Sequence, residues 1–421
     1  MKIILSTGGT QGDLNPFLYL GEALRDKGAE VLFALNPFDK SKAEKRGFEV
    51  ITSGESFDVD EFIRNNTDIA TLKGAPKIWR QGYLPRQKLM YEDITKAIHS
   101  FRPDAVVSHP LCIGSQWAAL DANIKHVIIC FQPMPVFSVS DPSIISLNDP
   151  LKFTEPALLK KVLSIITILR SFVVKKFMDH GLKKVASDIG IEYKGHLFSD
   201  MFSRADLILG LWSGDFRGYA DDDPKNLKIS GFPFPVKSSD RELSDEVSAF
   251  LKENPSPVIV AMGTSARNIA SDVYDKISQA CDDLNEPCIL VGCTDPSITE
   301  KYTKIMITPF EPYDKLFPSA SLIVHHAGMG TCANVFKSGK PSVIIPFFAD
   351  QFDNALRAER IGVTAKALSR SKLTVVKLRS AIQNTLNSPE TREKAEKLAE
   401  KLRTAVNGAV AGADEILRLV E

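Results

Sequence analysis

This sequence predicts an α/β protein of two domains, each built on a parallel sheet. Three observations carry that expectation. The chain opens in a β-α-β rhythm: an apolar run at Lys2–Ser6, a helical period at Phe17, Leu18, Leu20, Ala23 and Leu24, and a second apolar run at Glu30–Leu35. Parallel strands joined through a helix make a right-handed crossover, so a Rossmann-like sheet follows. The rhythm recurs late in the chain. There Leu322-Ile323-Val324 leads through a glycine-containing turn into a helix stopped at Gly339 and Pro341, and then into Val343-Ile344-Ile345. Finally, 421 residues exceed one typical core, and two domains of about 200 residues each are the natural division.

Composition narrows the function. Lysine plus arginine (52) equals aspartate plus glutamate (52), so charge gives no support for nucleic acid as the partner. Six cysteines stand at 112, 130, 281, 288, 293 and 332, none spaced as Cys-x-x-Cys. They read as reduced core thiols in a reducing compartment, with no metal site among them. Met1-Lys2-Ile3-Ile4-Leu5 begins as a strand and lacks a signal-peptide pattern. No uninterrupted apolar run is long enough to span a bilayer. The expectation is a cytoplasmic protein, soluble or peripheral.

The loop after the first strand, Gly8-Gly9-Thr10-Gln11-Gly12-Asp13, is not a dinucleotide fingerprint. Thr10 and Asp13 stand where Gly-x-Gly-x-x-Gly needs glycine, and the second strand ends at Asn36-Pro37 rather than at an acid. Asp13 is placed to cap the following helix. It is equally placed to act as a base toward a bound hydroxyl. The strand ending at Ser108 delivers His109-Pro110.

The stretch Leu322–Gln351 has the character of an anion site. His326, Gly328, Gly330 and Thr331 sit between a strand end and a helix start, where free backbone N–H groups and the helix dipole meet a ligand. Asp350 and Gln351 tip the next strand. Earlier, Pro257–Met262 reads as a strand with Gly263-Thr264-Ser265 as its terminal loop, suited to an anion or to a plain hydroxyl turn. Phe310, in Pro309-Phe310-Glu311-Pro312, is either a core residue or a stacking platform. The Pro- and Ser-rich loop 132–150 is long enough to border a pocket. The stretch 157–185 is apolar on more than one helical stripe, with Lys and Arg interleaved. It reads either as a membrane-facing helix or as the wall of an apolar pocket.

His325-His326-x-Gly328-x-Gly330-Thr331 followed by Asp350-Gln351 resembles the nucleotide-sugar signature of family 1 glycosyltransferases, the UDP-glycosyltransferase superfamily. Gln11-Gly12-Asp13-Leu14-Asn15-Pro16 resembles that family's N-terminal motif. Bacterial and sterol-type members carry Asp where plant members carry His. The resemblance runs along nearly the whole chain and is strongest at 8–16 and 309–354. It implies a GT-B architecture, two Rossmann-like domains facing across a cleft. Residues 1–236 would bind acceptor, 237–400 would bind nucleotide sugar, and 401–421 would pack back on the first domain. It implies inverting transfer of a hexose, best read as glucose, from a UDP-sugar to a hydroxyl of a hydrophobic small-molecule or lipid acceptor. The nucleotide sugar is a co-substrate; no cofactor and no metal are implied.

Residue by residue, the resemblance makes Asp13 the general base, with His109 either its catalytic partner or an ordinary strand-end residue. The pair would swap the arrangement of plant relatives, in which a His is oriented by an Asp. Gly12 borders the donor. Gly263, Thr264, Ser265, His326, Gly328, Gly330 and Thr331 would hold the diphosphate. Phe310 would stack on the base, Asn334 would stand in for a ribose-binding Glu, and Asp350 with Gln351 would hold the sugar. Other activities share these motifs: transfer from a dTDP-deoxysugar, a UDP-sugar epimerase on the same fold, and nucleotide-sugar binding without catalysis.

Overall fold

The computed structural model describes residues 1–66, 77–149, 165–166, 168–169, 179, 181–195, 197–236, 241–263 and 270–421. Thr264 and Ser265, and most of 157–185, lie outside the described residues. The chain forms two compact units, one of 1–143, 150–236 and 406–421, the other of 144–149 and 237–405.

The first unit holds seven parallel strands: β1 (Lys2–Thr7), β2 (Glu30–Leu35), β3 (Glu49–Thr52), β4 (Ala105–Ser108), β5 (Lys125–Cys130), β6 (Leu207–Gly210) and β7 (Leu227–Ile229). Their order is β3-β2-β1-β4-β5-β6-β7. The central strands are apolar along their length because helices cover both faces. Ile3 and Leu5 pack with Phe17, Leu20 and Leu24 of the helix Gln11–Asp26. Ile4, one residue out of phase, packs on the other face with Ile94 and Ala97 of the helix Gln87–Phe101 and Ala118 of the helix Ile113–Asp121.

The second unit repeats the plan with β8 (Val258–Ala261), β9 (Cys288–Val291), β10 (Ile305–Thr308), β11 (Leu322–His325) and β12 (Ser342–Ile344), in the order β10-β9-β8-β11-β12. In each sheet the first strand lies between neighbours reached by crossovers running in opposite directions. The switch therefore falls between β1 and β4 in one sheet and between β8 and β11 in the other, where open α/β sheets take up ligands. Gly8–Asp13 and His109 follow β1 and β4; Gly263 and His326 follow β8 and β11.

One boundary differs from the expected division. The tail joins the first unit at Val406 rather than 401. Ser244 caps a helix that contains Asp245 and Glu246, and the helix after β12 begins at Gln351. The helix Pro389–Thr404 stays in the second unit, where Arg403 donates to the Lys337 carbonyl at 3.3 Å. A separate last helix, Gly408–Val420, packs Ala413 and Ile416 into the core of the first unit.

That last helix is tied down at its start. Asn407 accepts from Phe234 N at 3.1 Å and donates to the Phe234 carbonyl at 3.0 Å, while Gly408 N donates to the Phe232 carbonyl at 3.0 Å. A Cβ on Gly408 would lie 2.0 Å from the Gly231 carbonyl oxygen. Backbone cannot swing aside as a side chain can, so Gly408→Ala forces the helix off its seat. The expected result is a loss of about 1–3 kcal/mol by urea denaturation; an unchanged midpoint would show that the helix does not dock this closely.

Candidate active site

In the first unit the site grows from the capping of the helix Gln11–Asp26. Thr10 is the N-cap, and Asp13, three residues on, reaches back to it in a capping box. Asp13 Oδ2 accepts from Thr10 N at 2.7 Å and from Thr10 Oγ1 at 3.1 Å. The carboxylate lies where a Cβ on Gly9 would be, 2.3 Å from Oδ2, and Gly9 has φ +148°. Glycine is required there by both contact and conformation. Gly12 gives its N–H to Thr10 Oγ1 at 3.2 Å and is exposed, so its backbone serves the cap.

Asp13 thus caps the helix, and the capping uses only one oxygen. Oδ1 lies 3.7 Å from His109 Nε2. His109 is buried and stacks on Phe131 at 5.5 Å between ring centres. Its Nδ1 accepts the Leu111 N–H at 3.2 Å. A ring nitrogen that accepts carries no proton, so the neutral ring bears its proton on Nε2, toward Asp13. Burial pushes the His109 pKa down, and the Asp13 charge pulls it partly back. The two residues expected as a pair are brought together, with the imidazole neutral.

In the second unit, His326 is held between two backbones that lack side chains. A Cβ on Gly263 would lie 2.4 Å from His326 Cε1, and one on Gly328 would lie 2.3 Å from Nε2. Gly263 also has φ +67°. Burial pushes the His326 pKa down to about 4, with the neighbouring Ala261 backbone opposing, and among the described residues Nδ1 has no hydrogen-bond partner. Gly328 is the N-cap of the helix Met329–Ser338 and has no side chain to satisfy the N–H groups of the first turn. Those N–H groups, the positive helix end and the imidazole form an arrangement chemically suited to an anion. Gly330 is exposed with open space where a Cβ would go, and Thr331 is buried.

The turn between His326 and Gly328 is strained. Ala327 has φ +67°, a conformation that costs of order 1–3 kcal/mol for a residue other than glycine. It is pinned from both sides: its N–H donates to His325 Nδ1 at 3.2 Å, and its carbonyl accepts from Asn354 Nδ2 at 2.9 Å. Asn354 also donates to Asp350 Oδ2 at 2.7 Å. Starting the helix at Gln351 brings Asn354, one turn later, under the loop. Gln351 is buried and its Oε1 accepts from Phe347 N at 2.8 Å and Phe348 N at 3.2 Å, so its oxygen shapes the β12 turn. Asn334 spends its amide on the Gly330 carbonyl at 2.8 Å. Only its oxygen is left to meet a ribose hydroxyl.

Phe310 is 52% exposed, which removes the core reading, and the Arg241 guanidinium lies 4.6 Å over its ring. Its loop is anchored by Glu311, buried, which accepts from Ser244 Oγ at 2.6 Å, Ser244 N at 3.2 Å and Thr308 Oγ1 at 3.1 Å. Sequence reasoning passed over Glu311 and Asn354. A signal did exist: Glu311 directly follows Phe310, and Asn354 lies three residues after Gln351.

Two outcomes follow. Gly328→Ala places a methyl on the His326 ring, so UDP affinity measured by calorimetry is expected to fall at least tenfold while the protein stays folded. Unchanged affinity would remove the cradle. His126, His325 and His326 have pKa values pushed down to about 4, 3 and 4 by burial. Below an unfolded-state value of about 6.5 the unfolded chain takes up protons that the folded chain cannot. Stability is therefore full above that pH and is lost as pH falls toward 4. The urea midpoint at pH 5 is expected to lie below that at pH 7.5.

Comparison with known proteins agrees with this geometry. Residues 293–410 match the glycosyltransferase family 28 C-terminal domain. The chain is 23% identical over 99% of its length to sterol 3-beta-glucosyltransferase UGT80B1 of Arabidopsis thaliana, spanning 68% of that protein. It spans 64% of a second Arabidopsis sterol 3-beta-glucosyltransferase, UGT80A2, at 24% identity. It is 22% identical to O-mycaminosyltylonolide 6-deoxyallosyltransferase of Streptomyces fradiae, over 95% of this chain and 93% of that one. The solved structure of the glycosyltransferase of kitacinnamycin superposes with a TM-score of 0.75 at 18% identity, over 100% of this chain and 99% of that one. The glycosyltransferase VinC, in complex with DTDP, superposes with a TM-score of 0.70 at 17% identity over the same shares. With its two parallel-sheet units, its matched C-terminal region and these relatives along its length, the chain has the GT-B fold and resembles the glycosyltransferases, UDP-glycosyltransferase-like in its motifs.

Proposed function

We propose that the protein is an inverting glycosyltransferase that moves a hexose, best read as glucose, from a UDP-sugar to a hydroxyl of a hydrophobic acceptor, with Asp13 as general base. The observation that carries this reading is the divided carboxylate of Asp13. Oδ2 is engaged by Thr10, and Oδ1 lies 3.7 Å from His109 Nε2. Oδ1 is then the oxygen that takes the acceptor proton, and the His109 N–H faces it.

The acceptor oxygen attacks C1 of the sugar. Its proton passes to Asp13 Oδ1, the bond from C1 to the diphosphate oxygen breaks, and the electron pair leaves with UDP. His326 and the N–H groups at the start of the helix Met329–Ser338 receive that charge as fixed donors, at no cost in reorganisation. Gly263, Thr264 and Ser265 complete the diphosphate contacts, Phe310 stacks on the base, the Asn334 oxygen meets the ribose, and Asp350 with the Gln351 amide meets the sugar hydroxyls. The reaction needs no metal in this scheme.

A hydrophobic acceptor is supported by the sterol glucosyltransferase relatives. The described side chains Ile165, Ile168 and Leu169 are also 57%, 43% and 59% exposed, an apolar surface suited to a lipid or to the face of a membrane. No described helix is long and apolar enough to cross a bilayer. All six cysteines are free and buried, which suits a cytoplasmic setting.

Asp13→Asn is expected to lower transfer by at least about a hundredfold and to leave UDP binding intact; an undiminished rate would remove the base. Transfer is expected to persist in EDTA, and loss of activity restored by added Mg²⁺ would overturn the metal-free scheme. A second donor class is favoured by the 6-deoxyallosyltransferase relative and by the neighbour solved with DTDP. Comparing UDP-glucose with dTDP-rhamnose against a panel of sterols and phenols decides between them.

A further inference from the structure

The turn that carries His109 is bracketed by two buried glutamines from two different helices. Gln116, in the helix Ile113–Asp121, is fully buried, and its Nε2 donates to the His109 carbonyl at 3.1 Å and to the Pro110 carbonyl at 3.2 Å. Gln87 begins the helix Gln87–Phe101 and is 1% exposed. Its Nε2 donates to the Leu111 carbonyl at 3.1 Å and the Tyr83 carbonyl at 2.9 Å, and its Oε1 accepts from Gly114 N at 2.9 Å.

The planes of the backbone give these bonds a direction. The Pro110 carbonyl and the Leu111 N–H belong to one peptide unit. Because that unit is rigid and planar, fixing its oxygen aims its N–H. That N–H is the donor to His109 Nδ1. The next unit, carrying the Leu111 carbonyl, is fixed by Gln87. The two helices cannot slide apart to relax the turn, since they meet with almost no side chain between them: a Cβ on Gly114 would lie 2.3 Å from the Gln87 carbonyl oxygen.

We propose that Gln116, supported by Gln87, is a positioning residue that holds the Pro110–Leu111 peptide so that His109 stays in its Nε2–H form with the proton toward Asp13. Without this constraint Nδ1 loses its donor, and the ring is free to protonate there and present a lone pair to a carboxylate, an unfavourable contact. The effect on transfer rests on Asp13 being the base; the tautomer does not.

The test therefore reads the two separately. Gln116→Met keeps the volume and removes both donors. With ¹⁵N-labelled histidine and His109→Gln to assign the signal, NMR is expected to show His109 protonated at Nε2 in the wild type. In the variant it is expected to show a mixture of tautomers. Transfer is expected to lose roughly tenfold or more in kcat, as supporting hydrogen-bond partners commonly cost, with KM for the nucleotide sugar unchanged. Gln87→Met is measured in parallel, so that a folding failure of one variant leaves the other to decide. A His109 that remains protonated at Nε2 in the folded variants overturns the proposal. A shifted tautomer with an unchanged kcat upholds the positioning by Gln116 and instead refutes the catalytic pairing of His109 with Asp13.

Discussion

The second unit's candidate site depends on one packing constraint: the His326 imidazole lies against the bare α-carbons of Gly263 and Gly328. The ring is thus placed by contact on both sides, and among the described residues its Nδ1 has no hydrogen-bond partner. Its position then fixes what surrounds it. Gly328 is both the wall of the cradle and the N-cap of the helix Met329–Ser338, so seating the ring also sets the distance from the imidazole to the helix's free N–H groups. The strain at Ala327 follows from the same requirement. The chain must leave β11, lay the ring down and enter the helix within three residues, and only a left-handed step between His326 and Gly328 accomplishes it. Asn354 and His325 hold that step, each with a hydrogen bond to one side of it.

The first unit meets a different demand with the same strand order. Here the first strand's loop supplies a carboxylate rather than a bare glycine. Asp13 stands in the first turn of a helix, and Thr10 gives one of its oxygens two donors. At 3.7 Å the His109 Nε2 faces the other oxygen, Oδ1, without a full hydrogen bond. Burial against Phe131 keeps the ring neutral.

Much of this was legible in the sequence, for reasons that differ by residue. The glycines at 263 and 328 and the aspartate at 13 stand in short local patterns, and the backbone conformations they serve are local too. The strand ends could be read from runs such as Leu322–Val324, because a strand buried on both faces is apolar throughout. What escaped were residues whose partners lie far along the chain. Glu311 binds Ser244, Gln116 and Gln87 bind the His109 turn, and Asn354 binds Ala327. A lone polar residue inside an amphipathic stretch looks like surface until the fold buries it. Gln351 shows the converse. Its place in the motif was evident, but its buried oxygen is committed to the turn at 347–348, and only the three-dimensional arrangement reveals which half of the amide is left for a ligand.

The two sheets illustrate why fold and chemistry are separable. Both put their switch between a first strand and the strand that follows the reversal, and both deliver a histidine at the end of the latter: His109 after β4, His326 after β11. Each ring is buried and held neutral, but the loops turn the two to different ends. His109 is fixed by a donated backbone N–H and directs its own proton at a carboxylate. His326 is fixed by the absence of two side chains and stands beside the unsatisfied start of a helix. The same strand-end position thus sets a histidine beside a carboxylate in one unit and beside a helix N-terminus in the other. What distinguishes them is the neighbour supplied by the first strand's loop: a capped carboxylate after β1, a glycine with φ +67° after β8.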